Sequence, residues 1–87
     1  MKLILAVVRD SDSDLVTQAF TSNNFRVTRI ASTGGLLRRG VTTLMVGVED
    51  DQVDSAIQLI RDRTTPAAGD EKRATVFVIE VEKFMQV

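Results

Sequence analysis

The stretch best equipped for chemistry is Thr33-Gly34-Gly35-Leu36-Leu37-Arg38-Arg39-Gly40. Two adjacent glycines let backbone N–H groups come close to an anion, as in the nests that cradle phosphates. Arg26, Arg29, Arg38 and Arg39 flank the pair in sequence. A guanidinium fork suits bidentate contact with phosphate or carboxylate. At this level the pattern fits an anion site, and it fits a hairpin with solvated arginines at its tip. It does not fit a P-loop, because the Gly-Lys-Ser/Thr ending is absent.

Other clusters carry less. Asp10, Asp12 and Asp14 resemble the start of a calcium loop, but the sixth position lacks glycine and Thr21 stands at the twelfth in place of glutamate. Capping of a helix N-terminus explains the acids better. Glu80 and Glu82 lie two apart on an expected strand, so they share a face, and an exposed face accounts for them. The sequence has no Cys and no His. Disulfides, thiolate sites, ordinary zinc or transition-metal sites and imidazole acid–base chemistry all lose their usual residues. No nucleophile–base pair can be assembled, so the sequence predicts neither an enzyme nor a bound cofactor or metal.

Size and charge narrow the classes further. Eighty-seven residues suffice for one domain, residues 1–87, with a small core of its own. Without disulfides or metals, oligomerisation is the favoured source of extra burial. Eleven cations, eight of them Arg, oppose twelve acids, which gives no general attraction to nucleic acid or anionic membrane. Genomic base composition explains Arg over Lys as well as phosphate recognition does. The longest apolar run, Leu3 to Val8, is too short to span a bilayer, and Arg9-Asp10 follows it with no small-residue cleavage site. The expected compartment is the cytoplasm.

The elements that must position these residues follow from hydrophobic periodicity. Residues 2–8 are apolar on both parities, as in a central strand covered on both faces. A helix capped by Asp10 or Ser11 follows, with Leu15, Val16, Ala19 and Phe20 on one face, ending near Asn23-Asn24. Phe25 to Thr33 alternates as a strand, with Phe25, Val27 and Arg29 on one face and Arg26, Thr28 and Ile30 on the other. Residues 42–48 form the next strand, with Gly47 inside it. A second helix begins at Glu49-Asp50-Asp51, with Val53, Ala56, Ile57 and Ile60 as its apolar stripe. Residues 61–73 read as an exposed connector, and Ala74 to Val81 as the last strand. The order β-α-β-β-α-β predicts an α+β, ferredoxin-like sandwich with the first and third strands central and both helices on one sheet face. The other face is left bare with apolar side chains, which predicts a partner.

Met1-Lys2-Leu3-Ile4, Asn23-Asn24-Phe25-Arg26 with Thr28, Thr33-Gly34-Gly35 with Leu37-Arg38, Gly40 and Thr42-Thr43, Gly47-Val48 with Asp50-Asp51 and Val53-Asp54, and Ala74 to Val78 together resemble the PII-like cyclic-di-AMP receptor family. The resemblance covers nearly the whole chain and runs without a gap to about residue 60. It implies a PII-like homotrimer with ligand sites in clefts between subunits and a signalling role toward a target protein. It implies that Arg26 and Thr28 hold the nucleotide, helped by backbone groups of Gly34, Gly35, Leu36 and Leu37. Position 41 at the hairpin exit, Gly47, Phe77 and Gln86 complete the implied set.

Three departures stand out. A phenylalanine of the family's hairpin is Leu36 here, which removes a stacking surface worth about 1–3 kcal/mol per base. An asparagine of the hairpin exit is Val41. The loop before the last strand, to which the resemblance assigns a partner-facing and ligand-responsive role, is shortened to residues 61–73. The two readings left are a receptor for cyclic di-AMP or another phosphate-bearing small molecule, and a PII-like trimer that has lost its nucleotide and serves as an interaction module.

Overall fold

A computed structural model describes residues 1–30, 40–66 and 72–87. Strand β1 (Lys2–Arg9) leads into helix α1 (Asp10–Ser22), followed by β2 (Val27–Ile30), β3 (Val41–Val48), a 3-10 turn (Asp50–Gln52), α2 (Val53–Arg63) and β4 (Ala74–Glu80). The sheet order is β2-β3-β1-β4, and every neighbouring pair is antiparallel. This is the expected ferredoxin-like arrangement, with β1 and β3 central.

Alternation divides the sheet into two unlike faces. Even-numbered Ile4, Ala6 and Val8 of β1 stand opposite Val46, Leu44 and Thr42 of β3. They bury completely, or nearly so, against Val16 and Phe20 of α1 and Ala56 and Ile60 of α2. Odd-numbered Leu3, Leu5 and Val7 point to the other face and are only half-buried. No helix among the described residues covers that face.

Several expectations need correction. Neither Asp10 nor Ser11 caps α1: Arg9 holds the cap position without a side-chain bond, and Asp10 is already helical. The cause is the sheet, because the Asp10 N–H donates to the Gly40 carbonyl at 2.9 Å and strand passes directly into helix. Leu15 does not join the apolar stripe and is 54% exposed. Its place on the buried side is taken by Asp12 and Ser13. Strand β2 begins at Val27, two residues late. Asn24 adopts φ 66° and the Phe25 N–H donates to the Phe20 carbonyl at 2.9 Å, which holds Phe25 against the end of α1. Its ring meets Phe20 edge to face, with centroids 5.6 Å apart. Residues 31–33 lie outside the described residues.

At the second helix, Glu49 is a cap rather than a helical residue. It forms a reciprocal capping box with Gln52, whose side chain accepts from the Glu49 N–H at 2.9 Å. The connector is shorter than expected, since residues 61–63 belong to α2 and Thr64 is buried. Strand β4 stops at Glu80, so Glu82 shares no strand with it. The Val81 N–H instead reaches the Met1 carbonyl. Glu80 accepts a hydrogen bond from the Lys2 ammonium, which raises the Lys2 pKa. The N-terminal ammonium donates to Asp50 at 3.1 Å and lowers the Asp50 pKa. Exposed pairs of this kind add little to stability.

These assignments separate two neighbouring substitutions. Phe20→Ala removes a fully buried ring and should cost about 3–5 kcal/mol in urea denaturation. Leu15→Ala should stay within about 0.5 kcal/mol of the wild type. A large loss from Leu15→Ala would mean that α1 is rotated from the orientation described.

Candidate functional site

Of the residues singled out in sequence, Thr28, Gly47 and Phe77 lie on the bare face. Register places Thr28 of β2, Met45 of β3, Leu5 of β1 and Phe77 of β4 in one row across the sheet. The next row holds Gly47, Leu3 and Ile79. Continuing the β2–β3 register one step, from Val27 opposite Val46, sets Arg26 beside Gly47. The row on the other side contains Ile30, Thr43, Val7 and Thr75.

Arg26 and Thr28 are exposed at the β2 edge. Phe77 is 53% exposed on the opposite edge. Three interstrand steps separate the edges, about 14 Å. One subunit therefore holds the cationic and aromatic halves of the set apart. Val41 is half-buried at the start of β3, opposite Arg9. Gln86 is exposed in the irregular segment after β4. Gly34, Gly35, Leu36 and Leu37, with Arg38 and Arg39, lie outside the described residues.

Arg29 leaves the group. It points to the helix side, where its guanidinium donates to Asp14 Oδ1 at 2.7 Å and to Thr17 Oγ1 at 3.3 Å. Its charge serves the α1–β2 contact and not the bare face.

Gly47 has a spatial meaning here. A Cβ built on it would lie 3.1 Å from Met1 Cε. The neighbouring atom is the end of a flexible side chain, so the fold tolerates a methyl group there, yet that group would stand beside Arg26. The sequence reading passed over Thr43. It is 8% exposed, and its hydroxyl has no hydrogen-bond partner among the described residues. An unpaired buried hydroxyl calls for a reason, and Thr43 lies on the same face as the candidate set. Its place beside Thr42 in a β-branched strand gave no sign of this.

A family model described as cyclic-di-AMP receptor matches residues 1–69. The chain belongs to the cyclic-di-AMP receptor family. The match spans β1 to α2 and so includes Arg26, Thr28, the glycine hairpin and Gly47, while Phe77 and Gln86 lie beyond it. Among solved structures the chain is similar to a functionally unknown protein from Pediococcus pentosaceus. That protein is 31% identical, with a TM-score of 0.79, and the match covers 99% of this chain and 96% of that one. This similarity extends over β4, so the four-stranded layout is common to both.

Two substitutions probe the site's local structure without a ligand. Thr43→Val removes the unpaired hydroxyl at nearly constant volume and should leave the melting temperature unchanged or higher. Gly47→Ala should fold with stability within about 1 kcal/mol of the wild type. A marked loss from Thr43→Val would show that the hydroxyl is satisfied in solution.

Proposed function

We propose that this chain is the subunit of a PII-like homotrimer that binds cyclic di-AMP, or a related phosphate-bearing nucleotide, in clefts between subunits. Occupancy is passed to a target protein, and no reaction is catalysed. Residues 1–87 act as a single domain in this reading, in the cytoplasm. No described helix is long and apolar enough to cross a membrane, in keeping with it.

The observation that carries the proposal is the split of the candidate residues between two edges of one apolar face. Leu3, Leu5, Met45, Phe77 and Ile79 give that face its apolar character, and a contiguous exposed patch of this kind favours burial against a partner. A neighbouring subunit packed edge to edge would set Phe77 of one chain near Arg26 and Thr28 of the next. Arg26 then pairs with phosphate, Thr28 and the Gly34-Gly35 amides donate hydrogen bonds, and Phe77 lines the base pocket. Gly47 leaves room for the Arg26 side chain.

The aliphatic Leu36 and Val41 favour the second reading, a trimer that keeps the fold as an interaction module. Titration calorimetry with cyclic di-AMP distinguishes the two. Charge-assisted hydrogen bonds contribute about 1.5–3 kcal/mol each, so Arg26→Ala should weaken binding by roughly 10- to 100-fold. Arg26→Lys should recover only part of that loss. Equal affinity of the wild type and Arg26→Ala would misplace the site. No heat from the wild type, with binding restored by Leu36→Phe and Val41→Asn together, would establish the second reading. Light scattering should give the mass of three subunits, and a single-subunit mass at micromolar concentration would contradict the assembly.

A further inference from the structure

The turn where β1 becomes α1 holds two connections at once. On one side it grips the exit of the glycine hairpin. The Asp10 N–H donates to the Gly40 carbonyl at 2.9 Å, and the Thr42 hydroxyl donates to Asp10 Oδ1. On the other side it grips the start of the α2–β4 connection. Asp12 accepts from the Thr65 hydroxyl at 2.7 Å and from the Thr65 N–H at 3.2 Å. The Arg9 guanidinium donates to the Thr65 carbonyl, and its Nε lies 3.4 Å from Asp12 Oδ2.

The chemistry favours keeping this grip closed. Asp12 is 2% exposed, and a buried carboxylate is costly unless its oxygens are paired. Thr65 supplies two donors to it, so releasing Thr65 leaves the carboxylate with the Arg9 ion pair alone among the described residues. Release also takes the Thr65 carbonyl from the Arg9 guanidinium, whose buried Nε faces Asp12 and has no hydrogen-bond partner among the described residues. Asp10 and Asp12 sit in the same first turn of α1, and the Ser13 hydroxyl ties that turn to the Asp10 carbonyl at 3.0 Å. Displacing the hairpin exit pulls on Asp10, and the rigid turn carries Asp12 with it.

We infer that the Arg9–Asp10–Asp12 turn couples the hairpin exit at Gly40–Thr42 to the α2–β4 connection at Thr65, with Asp12 as the positioning residue. Neither contact is part of the nucleotide-binding set, and the coupling exists in the ligand-free protein. It follows that a change imposed at the hairpin is felt at Thr65, and the reverse.

Amide hydrogen exchange of the ligand-free protein tests this, because each grip includes a readable N–H: Asp10 on one side and Thr65 on the other. Thr42→Val breaks the hairpin grip and should speed exchange at Thr65 by about 3- to 10-fold. Thr65→Val removes the hydroxyl from Asp12 and should speed exchange at Asp10 by a similar factor, since coupling between two sites is reciprocal. Thr42→Ser keeps its hydroxyl and should leave Thr65 near its wild-type rate. Central amides such as Ile4 should not change. If Thr65 exchanges at the wild-type rate in Thr42→Val, the grips are independent and the inference fails. It fails equally if Ile4 accelerates by the same factor, because the effect is then global opening.

Discussion

The registry of β1 between β3 and β4 is the constraint on which the rest of this molecule depends. With Ile4 opposite both Val46 and Val78, every even-numbered residue of β1 faces the helices and every odd one faces away. A slip of one residue would invert the two faces. It would push Leu3, Leu5 and Val7 under α1 and α2 and set Ile4, Ala6 and Val8 beside Gly47 and Phe77 on the other face. The same registry sends Arg29 to Asp14 on the helix side and leaves Arg26 on the parity of Thr28. The registry that builds the core thus also decides which candidate residues share the bare face.

That arrangement explains why so short a chain has an incomplete look. Its helices and one sheet face make a real core around Phe20, Ile4, Leu44 and Val46, all fully buried. The second face is apolar in its middle and ends in a cation at one edge and an aromatic ring at the other. With the two edge strands about 14 Å apart, one subunit holds the cation and the ring at opposite ends of that face. Membership in the cyclic-di-AMP receptor family names a ligand for which such a divided surface is suitable, provided that another subunit completes it.

The layout of the sheet was legible in the sequence because it rests on periodicity. The two-sided hydrophobicity of residues 2–8 marked a central strand, and the alternation after Asn24 placed Arg26 and Thr28 on one face. What escaped were effects that depend on a distant partner. Asp10 read as a cap, yet its N–H belongs to Gly40. Asp12 read as one more acid at a helix start, and it is buried because Thr65, 53 residues away, supplies its donors. Arg29 looked like part of a cationic group until α1 claimed it. Leu15 fitted the apolar stripe as well as Val16 did, and only the packing angle of α1 separates them. Hairpin residues Gly34 to Leu37 carried the clearest anion signal in the sequence.

The central claim is that two subunits share each nucleotide. A crystal structure of the protein soaked with cyclic di-AMP tests it most directly. The account predicts density in a cleft of a three-fold assembly, with phosphate against Arg26 of one subunit and a base near Phe77 of the next. Nucleotide density contacting residues of one subunit only, or seated on the helix side of the sheet, would contradict it.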